Sequence, residues 1–182
     1  DKGFSQEAKY WLALCKWRDL KPKPAINDLE NLLSVVESDE FKSRIFLSLG
    51  EIYLSIDNSE LAFDNFDKGA NLSKNRLLRE QVYFQIAEIS FKKMDYDKAL
   101  ESYQKVLNNT VSITRIQDSN LKMVQIYRLR GELEKSASKI QELIIDEDFT
   151  SIKSDLDLEL TKIEFDRGKI DFAIQNYDRI GK

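Results

Sequence analysis

Only one side chain in the sequence is a ready thiol nucleophile, Cys15, and the chain has no histidine. That combination narrows the chemistry at once. Histidine is the commonest general base and, with cysteine, the usual ligand for transition metals, so neither a Cys–His pair nor a zinc cage can be built from these residues. A single cysteine also excludes an intramolecular disulfide. Carboxylates remain, gathered in IDEDF (Ile145 to Phe149) and DLDLEL (Asp155 to Leu160). Neither stretch has the glycine-centred twelve-residue spacing of a calcium loop, and both read as solvated charge near helix ends. No glycine-rich phosphate loop or nucleophile motif is present. The expectation is a non-catalytic chain with no cofactor and no metal.

What such a chain presents is a surface, and the elements that carry it follow from composition. Of 182 residues, 42% are hydrophobic, enough for a real interior, and only six are Gly and two Pro, so the chain reads as nearly all helical. Charged residues make up 33% and nearly cancel to a net charge of −4. Phosphate binding needs a basic face, so no nucleic-acid partner is expected. No apolar run approaches the roughly 20 residues of a membrane helix, so direct membrane insertion is not expected either. The reading is a soluble chain, with cytoplasmic and periplasmic or envelope-associated locations both open. The first residue is Asp1 rather than Met, and the chain stops just after a second helix; both fit a fragment of a longer array.

A period organises the helices. Ala25, Ala62, Ala99, Ser136 and Ala173 recur every 37 residues. Counting this small residue as repeat position 20, position 7 carries Leu12, Leu49, Ile86, Met123 and Leu160. Position 8 carries Ala13, Gly50, Ala87, Val124 and Thr161, and position 24 carries Leu29, Phe66, Tyr103, Ile140 and Tyr177. Cys15 falls at position 10, which otherwise holds Ile52, Ile89, Ile126 and Ile163, and is therefore expected to be buried and inert. Positions 3, 7 and 10, then 20, 21, 24 and 27, form two helical stripes separated by a polar turn. Each repeat is a helical hairpin. The chain reverses at Gly131 and Gly168 in two turns, and Pro22 and Pro24 open a helix in the first. Ser38, Asn75, Ser112 and Thr150 or Ser151 are expected to cap the first helices. Small residues at positions 8 and 20 let the two helices approach, while positions 7, 10 and 24 fill the space between them.

The stretch FLSLGEIY (Phe46 to Tyr53) followed by Ala62 and Phe66 resembles the tetratricopeptide repeat pattern, and Tyr83, Ile86, Ala87, Tyr96, Ala99 and Tyr103 fit it in the next repeat. The period departs from the family's roughly 34 residues. The family's proline near the repeat end is absent, and Lys16 and Glu164 stand where Tyr is usual. The resemblance implies an all-α, right-handed α-solenoid of stacked antiparallel helix pairs. It would form one domain over 1–182, with repeats at about 6–42, 43–79, 80–116, 117–153 and 154–182.

The same resemblance implies a concave groove lined by the first helices at positions 2, 5, 9 and 12. Position 5 holds Tyr10, Leu47, Phe84, Leu121 and Leu158; position 9 holds Leu14, Glu51, Glu88, Gln125 and Lys162; position 12 holds Trp17, Leu54, Phe91, Arg128 and Phe165. Any single rung reads as core packing, but a continuous apolar strip marks a binding surface. Tyr10, Trp17, Leu47, Leu54, Phe84, Phe91 and Phe165 are the expected apolar contacts, and Glu51, Glu88, Arg128 and Lys162 the orienting charges. Position 2 (Glu7, Arg44, Gln81, Asp118, Asp155) lacks the basic groove of an RNA-binding repeat. Ser48, Gln85, Glu51 and Glu88 do not reproduce the Lys, Asn and Arg clamp by which some family members capture a chaperone tail. The function expected is a protein-interaction module or scaffold taking a peptide or helix of a partner protein. The competing reading is self-association, in which the uncapped last repeat and the apolar groove pack against another copy as a homo-oligomer.

Overall fold

The 37-residue period of the sequence is also the period of the backbone. A computed structural model describes residues 2–180, and side chains over residues 5–179. The second helices of the hairpins are α2 (Pro22–Leu33), α4 (Ser59–Leu72), α6 (Tyr96–Asn109), α8 (Leu133–Ile144) and α10 (Ile170–Ile180), each starting 37 residues after the last. The first helices α1 (Lys2–Arg18), α3 (Asp39–Ser55), α5 (Arg76–Lys92) and α7 (Ile113–Leu129) keep the same interval. Only α9 (Lys153–Asp166) starts late, because a 3-10 helix over Glu147–Ile152 takes the place of its first turn. Every regular element among the described residues is helical, and the fold is an all-α helical repeat.

Local chemistry explains these boundaries. Ser38, Asn75 and Ser112 accept hydrogen bonds from the backbone N–H three residues on, at 3.4, 3.2 and 3.4 Å, satisfying donors that the first turn leaves orphaned. Pro22 sits at the start of α2, where its missing N–H is not needed. The expected cap at Thr150 or Ser151 is not found. Both lie in the 3-10 helix, Thr150 donates its hydroxyl to the Glu147 carbonyl, and α9 follows Ile152 at its N-cap position without a side-chain cap.

All five hairpins turn in one way. Leu20, Asp57, Met94, Gly131 and Gly168, again 37 residues apart, adopt φ of 57°, 59°, 61°, 75° and 82°. In each turn that residue donates its N–H to the carbonyl three residues back, and the next residue donates to the carbonyl five back: Leu20 to Trp17 and Lys21 to Lys16, for example, at 2.9 and 3.0 Å. This is the Schellman closure. Glycine adopts a left-handed φ freely; Leu20, Asp57 and Met94 do so against their own Cβ.

The chain divides into two compact units, residues 1–86 and 87–182. In the first, Ala13, Ala25, Leu29, Leu32, Ile45, Leu49 and Ile52 form one buried cluster, with Trp17, Phe41 and Tyr53 packed at its edge. Each Leu or Ile so enclosed contributes about 1.5–3 kcal/mol of transfer free energy. In the second, Val124, Ile140, Leu143, Phe149, Leu156 and Ile163 do the same. The small residues at position 20, Ala25, Ala62, Ala99, Ser136 and Ala173, are all fully buried. Ser136 shows why size matters: its hydroxyl donates to the Val124 carbonyl of the paired helix at 2.8 Å.

Cys15 corrects the sequence expectation. It is exposed, and Leu12, one helical turn before it, is 57% exposed. Ile52, Ile126 and Ile163 at the same phase as Cys15 are buried by the second helix of the hairpin before them. Among the described residues no helix covers that face of α1.

Candidate functional site

In the first unit, α1 and α3 bring together five of the nominated groove residues. Tyr10, Leu14 and Trp17 follow one another at i, i+4 and i+7 along α1, and Leu47 and Glu51 at i and i+4 along α3, so each set shares a helix face. They line a pocket of about 300 Å³ together with Arg18, Arg44 and Ser48. Tyr10 is buried, its hydroxyl 2.9 Å from the Ser48 Oγ, so it forms the wall rather than a free contact. Trp17 is half-buried and donates its indole N–H to Ser55 Oγ at 3.1 Å.

The charges of this pocket differ in their commitments. Arg44 makes a two-pronged ion pair with Glu7 at 2.6 and 3.2 Å, and its guanidinium lies 4.9 Å from the Tyr10 ring centre and 5.1 Å from that of Phe41. The Glu7 hydrogen bond raises the Arg44 pKa above its ordinary value, outweighing burial. Glu51 forms no ion pair among the described residues. Its side chain reaches solvent, yet crowding strips enough water from the carboxyl to push its pKa up. A carboxylate held this way gains from any cation brought to it.

The other nominated residues are placed differently. Leu54 and Phe84 are half-buried. Within the second unit, Glu88 accepts a hydrogen bond from the Tyr103 hydroxyl, whose buried phenol is pushed far above its ordinary pKa by desolvation and then by Glu88. Phe91 is half-buried against Tyr96, ring centres 6.2 Å apart, with the Lys122 ammonium 4.7 Å from its own. Leu121 and Leu158 are half-buried, and Phe165 is 51% exposed.

Arg128, Gln125 and Lys162 converge on one carboxylate. Glu159 accepts from Arg128 Nε at 3.2 Å, Gln125 Nε2 at 3.2 Å and Lys162 Nζ at 2.7 Å, while Arg128 also reaches Asp166 at 3.1 Å. Glu159 is 3% exposed, which overturns the reading of DLDLEL as solvated charge. A buried carboxylate is retained because its partners satisfy it, and breaking that set leaves an uncompensated charge. Arg128 and Gln125 therefore tie α7 to α9 within the second unit, while Lys162 pairs with Glu159 from α9 itself.

Sequence reasoning did not nominate Arg18, Arg44 or Ser48 as contacts, although Arg44 stands at groove-facing position 2. The signal for two of them was present: residues 44, 47, 48 and 51 lie on one helical face, so any site using Leu47 and Glu51 must also use Arg44 and Ser48. Among the described residues no group of three or more His, Cys, Asp or Glu is placed to hold a metal. No described helix is long and apolar enough to cross a membrane.

Comparison with known proteins agrees with the helical-repeat fold. Residues 81–109 match the tetratricopeptide repeat family. A PIH1 domain-containing protein 1 from Xenopus laevis is 26% identical over 125 residues, which cover 65% of this chain and 41% of that protein. Among solved structures, a MamA protein superposes with a TM-score of 0.63 at 17% identity, covering 98% of this chain and 91% of the other. The C-terminal part of a tetratricopeptide repeat-containing protein from Cytophaga hutchinsonii gives 0.65 at 17% identity, over 96% and 66%. The apo form of RapI gives 0.62 at 16%, over 97% and 69%. Tetratricopeptide repeats are typical of protein–protein interaction scaffolds. The family match falls on α5 and α6, and the same backbone period runs on either side of it: the chain has a tetratricopeptide-like helical-repeat fold.

Proposed function

We propose that this chain is a non-catalytic protein-interaction module, and that the α1–α3 pocket of its first unit receives a peptide or helix of a partner protein. The observation that carries the reading is Glu51, a carboxylate without an ion pair in a pocket where Leu14, Trp17 and Leu47 supply apolar wall beside Tyr10, Ser48, Arg18 and the Glu7-paired Arg44. Apolar walls with a few placed polar groups are the usual make-up of a recognition pocket. The chemistry favours a partner segment that presents an apolar side chain to Leu14 and Leu47 and a Lys or Arg to Glu51. Arg18, at the same rim, would meet an acidic neighbour on that segment.

Selection of peptides from a displayed library on the immobilised chain tests this. Enriched peptides carry a basic residue beside an apolar one, and Glu51→Lys weakens their binding at least ten-fold with the melting temperature unchanged, since Glu51 has no internal ion pair to lose. Peptides that bind the wild type and the Glu51→Lys variant equally overturn the assignment of this pocket.

A further inference from the structure

Two tyrosines at repeat position 11 show what surrounds a ring there. In the first unit Tyr53 packs at the edge of the buried cluster, and its hydroxyl donates at 3.2 Å to Glu30, at position 25 of the second helix before it. In the second unit the ammonium of Lys135, at position 19 of the helix that follows, lies 4.1 Å from the Tyr127 ring centre. Together they set a position-11 ring between position 25 of the helix before and position 19 of the helix after.

The last hairpin keeps this space and lacks the ring. Glu164 stands one period after Tyr127, Gln141 three periods after Glu30, and Phe172 one period after Lys135. All three line one pocket of about 260 Å³ formed by α8, α9 and α10, with Ala137 and Leu160 as further apolar wall. The Glu164 carboxyl is held by Lys169 at 2.6 Å and by Arg167. Gln141 forms no hydrogen bond among the described residues, and Phe172 is 49% exposed with no ring contact. A short side chain alone does not make such an opening, because Ser90 at the same position of the third hairpin is fully buried. Nor does the pocket lie on the outgoing face of α10. Within the chain a second helix meets the following hairpin through positions 21 and 24, as Ile26 and Leu29 meet Leu49 and Ile52. On α10 those positions are Ile174 and Tyr177, and Phe172 lies about 140° or more around the helix from either.

We infer that this pocket takes a tyrosine side chain of a partner protein, whose ring stands where Tyr53 and Tyr127 stand in their own hairpins. The space suits one ring, since a cavity of about 150 Å³ between apolar side chains already holds benzene. Phe172, Ala137 and Leu160 meet the ring, and its hydroxyl donates to the free Gln141 amide oxygen as Tyr53 donates to Glu30. The charges at the edge answer one another, Glu164 with Lys169 and Arg167, and Arg167 also with Glu134 at 2.8 Å, which favours a neutral occupant. This pocket shares no residue with the one between α1 and α3, so the inference stands or falls apart from it.

Methyl NMR of the full chain with p-cresol, the tyrosine side chain without its backbone, tests the pocket. Millimolar p-cresol is expected to shift the Ala137 and Leu160 methyls saturably. Glu164→Tyr, which returns the chain's own ring to the space, abolishes the shifts. Phe172→Ala, at an exposed position, weakens p-cresol about five-fold with the melting temperature unchanged. Gln141→Leu removes the preference for p-cresol over toluene. Displayed peptides captured through this pocket carry tyrosine, and they are lost on Glu164→Tyr but kept on Glu51→Lys. Methyls that p-cresol leaves unmoved overturn the inference, as do shifts that survive both Glu164→Tyr and Phe172→Ala. Binding of p-cresol with no tyrosine among the captured peptides also overturns it, since the occupant is then a small phenol and not a partner protein.

Discussion

Replacing Gly50 by alanine should destabilise the second hairpin, although alanine is the better helix former. A Cβ at Gly50 would lie 2.5 Å from Cδ1 and 2.6 Å from Cε1 of Phe66, against the 3.4 Å at which ordinary contact begins. The Phe66 ring must retreat by about an ångström. It is 2% exposed, so it has no open space to retreat into. Overpacking of this kind costs about 1–3 kcal/mol, and the helix propensity of alanine returns about 1, leaving a net loss of roughly 1 kcal/mol. The first hairpin contains the control. There the same two positions hold Ala13 and Leu29, both fully buried without conflict. In a Phe66→Leu background, therefore, Gly50→Ala should stabilise by up to about 1 kcal/mol, and the double-mutant cycle should give a coupling of about 1–3 kcal/mol. Urea melts followed by circular dichroism read this, with slopes compared because repeat arrays need not unfold in one step. If Gly50→Ala raises the midpoint equally in both backgrounds, Phe66 is not packed on the α3 backbone and the size rule for positions 8 and 24 is wrong.

Two further substitutions test the turns and the acid response. Met94 is 74% exposed at φ 61°, where a side chain costs about 1–2 kcal/mol, so Met94→Gly should raise the melting temperature by about 1–3 °C after the entropy cost of glycine. A lowered melting temperature would mean that Met94 is not left-handed. Glu164 accepts from Lys169 at 2.6 Å and from Arg167, and these hydrogen bonds, Lys169's first, hold its pKa below the ordinary 4.5 despite burial. Because the folded value is the depressed one, this contribution is complete above pH 4.5 and fades as pH falls through the folded value. Melting temperature against pH should therefore drop less steeply in acid for Glu164→Gln than for the wild type, and parallel acid limbs refute the assignment.

Some of this was legible in the residues because sterics allow few substitutes. Position 20 must be small where two helices cross, so Ala25, Ala62, Ala99 and Ala173 announce the period, and Ser38, Asn75 and Ser112 announce the first helices through their caps. Cys15 was misread because phase predicts which face a residue occupies, not whether a neighbour covers that face. Glu159 was misread because its partners come from elsewhere in the fold: Gln125 and Arg128 lie 34 and 31 residues earlier, on α7. Nothing local in DLDLEL distinguishes a buried acid from a solvated one. For the groove, the family resemblance put Tyr10, Leu14, Trp17, Leu47 and Glu51 on groove-facing phases, and these five line one pocket; it could not tell that Tyr10 would be closed off by Ser48 while Glu51 stayed without an ion pair.

The turns show what enforces the period when the residues do not. Gly131 and Gly168 adopt a left-handed φ at little cost, yet Leu20, Asp57 and Met94 hold nearly the same angle and make the same two backbone hydrogen bonds. A conformation that three side chains resist can persist only if the surroundings determine it from both sides. Those surroundings are the two apolar stripes of each hairpin, which bury the small residue at position 20 five residues after the reversal and so fix where the second helix must begin. Packing sets the turn, and glycine merely relaxes it. The 3-10 helix before α9 supports the same ordering of causes. There the connection delays the first helix by three residues, but α10 still begins 37 residues after α8 and the turn at Gly168 keeps its place. The link between hairpins can therefore vary while each hairpin stays fixed.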